Sequence, residues 1–354
     1  MPGNKLPTIS VVIPTYNSEL VLGPCLDSIF KQKYPQDKIQ VIVVDSQKTT
    51  DATRKIAAKY PVTILNNPKF LAEPGKTIGI KHSTGELFFY LDSDAELVSD
   101  TWILDMVKPL VEDPNLAGSF TRFIPKASQT PFNRYISYDP LQLWPMLAFV
   151  LPSLKSVTTE NRQGYDVVKI NPHRTIPIGM GVYRKKWLDQ VIKDPDKFNY
   201  VDIAIPIHIA ELGHDQFAYV PSAGFYHISE SLWHQTRRLK RDVVVTYLPV
   251  VGQRKFHYID FKKPADLLKI VIWVVYVNLF LPSLIVGIYK TIKYHDWAGM
   301  YELPVNFILT NYTILLFLKE KNGRELLKNI FLRKPVASIK SQQMDYETGS
   351  KYSL

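Results

Sequence analysis

Short apolar runs alternate with amphipathic stretches of helical period along the first hundred residues. Each run ends at a proline or at a polar cluster, which is typical of buried strands separated by helices. This β-α-β order predicts an α/β fold with a mostly parallel, doubly wound sheet. The predicted strands cover residues 9–13, 40–44, 62–65 and 87–91, and the predicted helices cover residues 20–31, 52–59 and 76–83.

Polar clusters follow three of these strands, at residues 14–17, 45–51 and 92–94. Ligands of open α/β sheets bind at the carboxyl ends of the strands, so we expect the three clusters to share one edge of the sheet. The pattern predicts a nucleotide site there.

The pattern is less regular between residues 102 and 227. Residues 175–194 predict a strand and then a helix, and the next segment predicts a helix, a turn at Gly213 and a strand ending at His227. Residues 138–156 are unusually apolar for a loop. These residues either pack on the protein core or contact a membrane, and the sequence does not decide between the two.

The composition changes at Trp233, where basic and apolar residues mix in a manner typical of a segment on an anionic lipid surface. Residues 270–289 carry no charge, and about twenty residues suffice to cross a bilayer. Residues 303–318 are a second candidate span, a re-entrant segment or a buried core helix. The predicted domains are a catalytic domain, a basic interfacial segment, membrane-associated helices and a basic, partly disordered tail: residues 1–232, 233–266, 267–320 and 321–354.

The net charge of +10 over 354 residues favours an anionic partner, such as nucleic acid, a nucleotide phosphate or a lipid surface. Cys25 is the single cysteine, which excludes an intrachain disulfide and suits a reducing compartment. The first ten residues lack the apolar core of a secretory signal. By the positive-inside rule, basic residues on both sides of the apolar segments predict a cell-membrane protein whose catalytic domain faces the cytoplasm.

Asp92 and Asp94 follow the apolar run "LFFYL" directly. Such a D-x-D pair forms a solvated turn, a helix cap or a divalent cation site. The metal interpretation gains support from Asp45 and His227, which end other predicted strands. Carboxylates suit Mg²⁺ or Mn²⁺ together with substrate phosphates, and Mn²⁺ also accepts imidazole. The residues therefore indicate displacement at a nucleotide diphosphate.

Five segments in order and spacing, "VVIPTYNSE", "IQVIVVDSQKTTDAT", "PGKTIGIKHSTGELFFYLDSDAEL", "GMGVYRKKWLD" and "YVD" with "FYHI", resemble a family 2 glycosyltransferase of the GT-A fold. The resemblance covers roughly residues 8–240. It implies Asp94 and His227 as ligands of Mn²⁺ or Mg²⁺. It also implies a set of donor-binding residues: Pro14, Thr15, Tyr16, Asn17, Asp45, Lys76, Asp92 and Ser93.

The resemblance implies Asp202 as the general base that deprotonates the acceptor, although valine replaces the usual preceding glutamate. Partial burial would raise a carboxylate pKa into a useful range. The alternative is a helix cap ahead of "IAIPIHIA".

"QTRRL" partly resembles the Q-x-x-R-W motif of processive synthases, with Leu239 in place of tryptophan. The missing aromatic removes a stacking platform for a growing sugar chain. Gln235, Arg237 and Arg238 are candidates for binding an acceptor phosphate, and a basic face at lipid head groups is the alternative.

Together these features resemble membrane-attached polyprenyl-phosphate sugar synthases of the dolichol-phosphate mannose synthase type. We expect an inverting hexosyltransferase with a GDP-mannose or UDP-hexose donor and a lipid-linked acceptor, and self-association is left open. A UDP-sugar-dependent transferase that acts on a glycolipid or polysaccharide acceptor is one alternative. A nucleotidyltransferase, which would release pyrophosphate, is another. Nucleic acid is not an expected partner, because the basic residues crowd beside the apolar segment rather than around an aromatic-rich groove.

Overall fold

The computed structural model describes residues 6–69, 72–193, 204–228, 231–252 and 258–339. The chain divides into two compact units. Unit 1 comprises Met1–Ile124 and Ser153–Ile228, and unit 2 comprises Pro125–Pro152 and Ser229–Leu354. Residues 125–152, which the sequence placed inside the catalytic domain, thus group with the carboxyl-terminal part of the chain.

The strands belong to unit 1. They are β1 Ile9–Thr15, β2 Ile39–Ser46, β3 Thr63–Asn67, β4 Leu87–Tyr90, β5 Ala95–Leu97, β6 Gly118–Phe120, β7 Thr158–Arg162, β8 Tyr165–Lys169, β9 Gly181–Arg184, β10 Gln216–Tyr219 and β11 Phe225–His227.

The helices occur in both units. They are α1 Leu22–Phe30, α2 Thr53–Ala57, α3 Ala72–His82, α4 Trp102–Glu112, α5 Pro131–Ile136, α6 Pro145–Val150, α7 Leu154–Val157, α8 Lys185–Val191, α9 Ala204–Glu211, α10 Leu232–Arg241, α11 Pro264–Asn278, α12 Leu281–Tyr294, α13 Glu302–Lys319 and α14 Lys321–Phe331.

A nine-stranded sheet in the order β3-β2-β1-β4-β9-β6-β10-β8-β7 forms the centre of unit 1. All of its strands except β9 and β8 run in the same direction. The predicted fold class, a mostly parallel sheet flanked by helices, is therefore confirmed. A separate two-stranded sheet pairs β5 with β11.

Helix α3 packs unusually closely against β1, because glycine faces the strand. A Cβ atom on Gly79 would lie 2.2 Å from Cγ1 of Val12, and one on Gly75 would lie 3.2 Å from Cβ of Pro14. This close approach fixes the height of α3 above the sheet. It also sets the position of Lys76, which lies between the two glycines.

Helix α13 is the centre of unit 2. Its buried residues Val305, Leu309 and Leu316 pack in one core cluster with Leu239 of α10 and Phe132 of α5. By length and composition, Trp297–Lys319 is the single continuous stretch of the described residues that is apolar enough to cross a membrane.

The predicted span at residues 270–289 contains a sharp break. Helices α11 and α12 meet at an angle of 82°. Phe280, between them, has a φ of 55°, and Pro282 occupies the first turn of α12. Proline is favoured in the first turn of a helix because the backbone N–H that it lacks would have no hydrogen-bond acceptor within the helix at that position. The predicted disorder of the tail falls mainly on residues 340–354, outside the described residues.

Candidate active site

The paired aspartates lie where β4 leaves the core. All four residues of β4 are buried, and the N–H of Ala95 then donates to the carbonyl of Asp92 at 3.0 Å, which closes a tight turn. The turn carries Asp92 and Asp94 to the carboxyl edge of the sheet, where both are partly exposed.

His227 reaches the aspartates through the small sheet of β5 and β11. In this ladder His227 lies opposite Ala95, and the N–H of Ile228 donates to the carbonyl of Asp94 at 3.2 Å. Nε2 of His227 consequently lies 3.4 Å from Oδ1 of Asp94. The backbone register therefore brings together two residues that are far apart in the sequence.

Ligand atoms of Asp92, Asp94 and His227 all lie within 4.8 Å of one another. Two carboxylates and an imidazole suit Mn²⁺, which accepts both ligand types, and they leave room for phosphate oxygens in the same coordination shell. The imidazole ring is nearly buried and packs 5.5 Å from the ring of Phe123, which restricts its rotation. The residues present thus fit a divalent cation.

Lys76 adds a buried positive charge beside the cluster. Its Nζ lies 3.9 Å from Oδ1 of Asp92 and 4.0 Å from the centroid of the Tyr90 ring, and its side chain is 4% exposed. A buried ammonium is stabilised by such a carboxylate and ring face. It also lies close enough to the cluster to attract a diphosphate.

The ends of β1 and β2 are joined through the carboxylate of Asp45, which is fully buried. Oδ1 accepts hydrogen bonds from the hydroxyls of Thr15 at 2.8 Å and Thr49 at 2.7 Å. Oδ2 accepts from Nε of Arg54 at 2.6 Å. The chain itself therefore uses both oxygens of Asp45, and one of its partners is a charged guanidinium.

A second set of contacts holds the loop after β1. Asn17 has a φ of 46°, and its side-chain oxygen accepts from the N–H of Thr50 at 2.9 Å. The hydroxyls of Ser18 and Ser93 lie 3.0 Å apart. These contacts confirm the expectation that the polar clusters after β1, β2 and β4 share one edge of the sheet.

The thiol of Cys25 lies beneath the aspartate turn, with Sγ 3.8 Å from the carbonyl oxygen of Asp92. Burial raises the pKa of Cys25 well above its usual value, and the charges of Asp94 and Asp92 raise it further. The residue therefore stays a neutral thiol and serves as packing under the site.

The structure brings together most of the predicted donor and metal residues. Pro14, Thr15 and Asp45 lie at the ends of β1 and β2, and Tyr16 is 41% exposed just beyond β1. Asp202 lies outside the described residues, so its role as base stays a prediction. The acceptor candidates Gln235, Arg237 and Arg238 lie on α10, which belongs to unit 2.

Several residues of this edge were not predicted from the sequence. Arg54 and Thr49 bind the carboxylate of Asp45, Ser18 lies beside Ser93, and Phe123 packs against the His227 ring. Thr49 lies inside the predicted polar cluster at residues 45–51 and Ser18 directly follows the cluster at residues 14–17, so the sequence indicated the neighbourhood of both but not their contacts. Arg54 and Phe123 carry no local signal, because their contacts depend on the packing of distant segments.

The sequence profile of the family described as "Glycosyl transferase family 2" matches residues 10–191, just over half of the chain. The chain belongs to this family. The match covers β1 to α8 and therefore includes both aspartates of the cluster, while His227 lies beyond it.

Curated relatives of this family 2 glycosyltransferase align with parts of it. "Glycosyltransferase AglE" of Haloferax volcanii is 30% identical over 148 residues, which are 40% of this chain and 48% of AglE. A Methanococcus voltae protein, "Dolichyl N-acetyl-alpha-D-glucosaminyl phosphate 3-beta-D-2,3-diacetamido-2,3-dideoxy-beta-D-glucuronosyltransferase", is 28% identical over 121 residues, 31% of this chain and 37% of that protein. The chain thus spans about half or less of the length of these relatives.

Among solved structures, "Mannosyltransferase PcManGT from Pyrobaculum calidifontis in complex with GDP-Man and Mn2+" superposes with a TM-score of 0.49 and 18% identity. The superposition covers 93% of this chain and 81% of PcManGT.

Proposed function

We propose that the protein transfers a hexose from a nucleoside diphosphate sugar to a membrane lipid-linked acceptor such as a polyprenyl phosphate, with inversion at the anomeric carbon. The observation that carries this proposal is the cluster of Asp92, Asp94 and His227 with Lys76 beside it. A cation site next to a buried ammonium, at the carboxyl edge of a parallel sheet, suits a diphosphate.

Each residue of the site has a distinct part in the proposal. Asp94 and His227 hold Mn²⁺ or Mg²⁺, while Asp92 and Ser93 face the donor. A bound cation supplies charge neutralisation at the diphosphate leaving group. Lys76 contributes positive charge of the same kind from the protein, fixed in place before the donor binds.

The nucleoside would lie along the ends of β1 and β2, beside Pro14, Tyr16 and Asn17. Thr15, Thr49 and Arg54 fix the carboxylate of Asp45 in one orientation at this edge. Because the carboxylate is fully buried and both of its oxygens are occupied, Asp45 would act by holding the ends of β1 and β2 and the side chain of Arg54 in place, and a base that bonds to it directly would have to displace one of these contacts. The donor is to be found by experiment, with GDP-mannose tested first and UDP-hexoses as the alternative.

Three features support a lipid-linked acceptor. The relative from Methanococcus voltae is named for a dolichyl-phosphate-linked substrate. Unit 2 carries large apolar side chains that are exposed on α11 and α12. Helix α10 carries Arg237, Arg238 and Lys240 among its exposed residues. We accordingly propose a location at the cytoplasmic face of the cell membrane.

Asp202 is the proposed base that accepts the proton of an acceptor hydroxyl. When the acceptor is a phosphate that is already anionic, the carboxylate would orient it instead. In both cases Asp202→Asn is expected to keep donor binding and to lose transfer, and transfer at the wild-type rate would remove Asp202 from catalysis.

Product analysis tests the reaction. The purified protein is incubated with GDP-mannose or UDP-glucose, Mn²⁺ and a short polyprenyl phosphate, and the products are separated by chromatography. The proposal requires nucleoside diphosphate and a glycosylated lipid in equal amounts. Release of pyrophosphate would instead indicate a nucleotidyltransferase and would contradict the proposal.

A further inference from the structure

Helices α11 and α12 each carry large apolar side chains that are exposed on unit 2. On α11 the exposed side chains include Leu268, Ile272 and Val275, and on α12 they include Leu281, Ile285 and Ile288. Both sets repeat at helical spacing, so each helix has one apolar face turned outward. Large apolar side chains that cluster on an exposed face indicate an apolar partner.

The far end of α12 is fixed to the segment 125–152. Arg134 of that segment donates two hydrogen bonds to the carboxylate of Asp296. Its Nε donates to Oδ2 at 2.7 Å and its Nη2 donates to Oδ1 at 2.8 Å. The rings of Tyr138 and Tyr294 stack at 4.0 Å. The bidentate ion pair and the stacked rings hold the end of α12 and the residues after it against residues 125–152.

The near part of α11 is fixed to the same segment. Lys269 donates from Nζ to the carbonyl of Val150 at 3.5 Å, and the rings of Phe149 and Trp273 lie 5.6 Å apart. Both ends of the helix pair therefore contact one short stretch of chain.

That stretch leaves unit 1 after Ile124 and returns to it at Ser153. Its two helices, α5 and α6, have 6 residues each, whereas a span needs about twenty. The stretch cannot cross a bilayer and return, so it stays on the membrane face at which residues 124 and 153 lie. We propose that α11 and α12 form a re-entrant hairpin, which enters one leaflet and leaves it on the same side, and that none of the helices described in unit 2 crosses the membrane.

The dimensions of the hairpin agree with this topology. At about 1.5 Å per residue the 15 residues of α11 and the 14 of α12 are each roughly 22 Å long, short of a hydrocarbon core of about 30 Å. With a bend of 82° between them, the break at Phe280 becomes the deepest point.

Helix α13 meets the length requirement for a span, but both of its ends contact segments that stay on this same membrane face. Near its start, Glu302 accepts from the hydroxyl of Tyr135 at 2.7 Å. Just beyond its end, Asn322 donates to the carbonyl of Leu248 at 2.9 Å. Leu248 follows the charged helix α10, which is itself too polar to cross a bilayer. Helix α13 therefore supports the hairpin from within unit 2.

Charge and aromatic residues around the hairpin match an anionic leaflet. Lys293 lies 5.8 Å from the ring of Tyr289 and 5.1 Å from that of Tyr294, and Trp297 is exposed nearby. Tyrosine and tryptophan with lysine are typical of the membrane–water interface. The partner is thus the surface of an anionic bilayer, and the inference rests on the proposed membrane attachment but not on the proposed sugar chemistry.

Cysteine accessibility tests the topology on the full chain. The buried Cys25 of the wild type provides a low labelling background. Single substitutions Ala265→Cys in the first turn of α11, Lys293→Cys in the last turn of α12 and Leu279→Cys at the break between them all fall on exposed positions. Lys59→Cys, on the exposed surface of unit 1, reports the orientation of each vesicle preparation. Each variant is incorporated into sealed vesicles with phosphatidylglycerol and treated with an impermeant maleimide.

The inference predicts equal labelling of Ala265→Cys, Lys293→Cys and Lys59→Cys from the same side, with Leu279→Cys protected until detergent is added. Labelling of Ala265→Cys and Lys293→Cys from opposite sides would establish a span and overturn it. Failure to float with the vesicles, or a protein dimer that protects Leu279→Cys without lipid, would also overturn it. Mn²⁺-dependent donor binding is measured on the same samples. Loss of donor binding would count against the glycosyltransferase proposal, whereas the labelling pattern alone decides the membrane topology.

Discussion

His227 faces Asp94 across the antiparallel pair of β5 and β11, with Nε2 3.4 Å from Oδ1. The pair depends on a backbone register rather than on local sequence, since His227 lies opposite Ala95, the residue after Asp94. A histidine at this position changes an acidic turn into a mixed oxygen and nitrogen site, which favours Mn²⁺ over Ca²⁺.

Removal of the imidazole should weaken metal binding. Mutation of a residue that only hydrogen-bonds to a metal ligand lowers metal affinity by about 10- to 100-fold. Loss of a direct ligand in His227→Ala should lower the Mn²⁺ affinity at least as much. Titration calorimetry with Mn²⁺ measures the change. His82→Ala removes an exposed histidine at the end of α3 and is the matched control. Equal Mn²⁺ affinity in the two variants would exclude His227 as a ligand.

Alanine should lower the stability of the protein at Gly79, where α3 is in close contact with β1, and raise it at Gly23, where there is free space. At Gly79 the new methyl would lie 2.2 Å from Cγ1 of Val12, and overpacking of this kind costs about 1–3 kcal/mol of unfolding free energy. At Gly23 in α1 a Cβ meets no described atom within 4 Å, so alanine should stabilise by up to about 1 kcal/mol. Denaturant unfolding of both variants measures the effects. Neutral behaviour of Gly79→Ala would show that α3 is free to shift.

Arg54 should be important for stability despite its partial exposure. Its guanidinium is the charged partner of the fully buried carboxylate of Asp45, and loss of one partner of a buried polar group costs about 1–3 kcal/mol. Arg54→Ala is compared with Lys31→Ala, which removes an exposed pair with Asp27 that should contribute less than about 1 kcal/mol. The double variant Arg54→Ala/Asp45→Asn should recover part of the loss. Equal unfolding free energies of Arg54→Ala and Lys31→Ala would contradict this prediction.

The contact between Arg134 and Asp296 predicts a pH dependence. The hydrogen bonds from Arg134 lower the pKa of Asp296 to about 2, whereas a free aspartate titrates near about 3.9. A lowered pKa means that the stabilisation is fully present above about pH 4 and is lost as the pH falls towards 2. The difference in unfolding free energy between the wild type and Asp296→Asn, measured in detergent, should therefore shrink over this range. A difference that is constant from pH 5 to pH 2 would contradict the lowered pKa.

Much of the edge that carries the site could be predicted from the sequence, because its signals are local. Apolar runs that end in Pro14, Asp45 and Asp92 define strand ends, and the parallel connections bring strand ends to the same edge. Asp94 is identified by its position after β4. The contact with His227 needs the family resemblance in addition, since no local pattern gives the register of β5 and β11.

Hydropathy alone did not reveal the break within residues 270–289. The stretch is uncharged and long enough to span, yet α11 ends at Asn278 and α12 begins at Leu281. Pro282 carried the signal, because proline favours a helix start and disfavours helix at the residue before it. The Arg134–Asp296 pair joins segments that lie far apart in the sequence, so composition alone gives no indication of it.

Thermal unfolding with a panel of sugar nucleotides tests the central claim most directly. Unfolding is followed with GDP-mannose, UDP-glucose and UDP-N-acetylglucosamine, each with and without Mn²⁺, for the wild type and Asp94→Ala. We predict that one donor type raises the melting temperature of the wild type only when Mn²⁺ is present, and that Asp94→Ala abolishes this shift. The same Mn²⁺-dependent shift in both proteins, or no shift with any donor, would contradict a metal-bound diphosphate at this site.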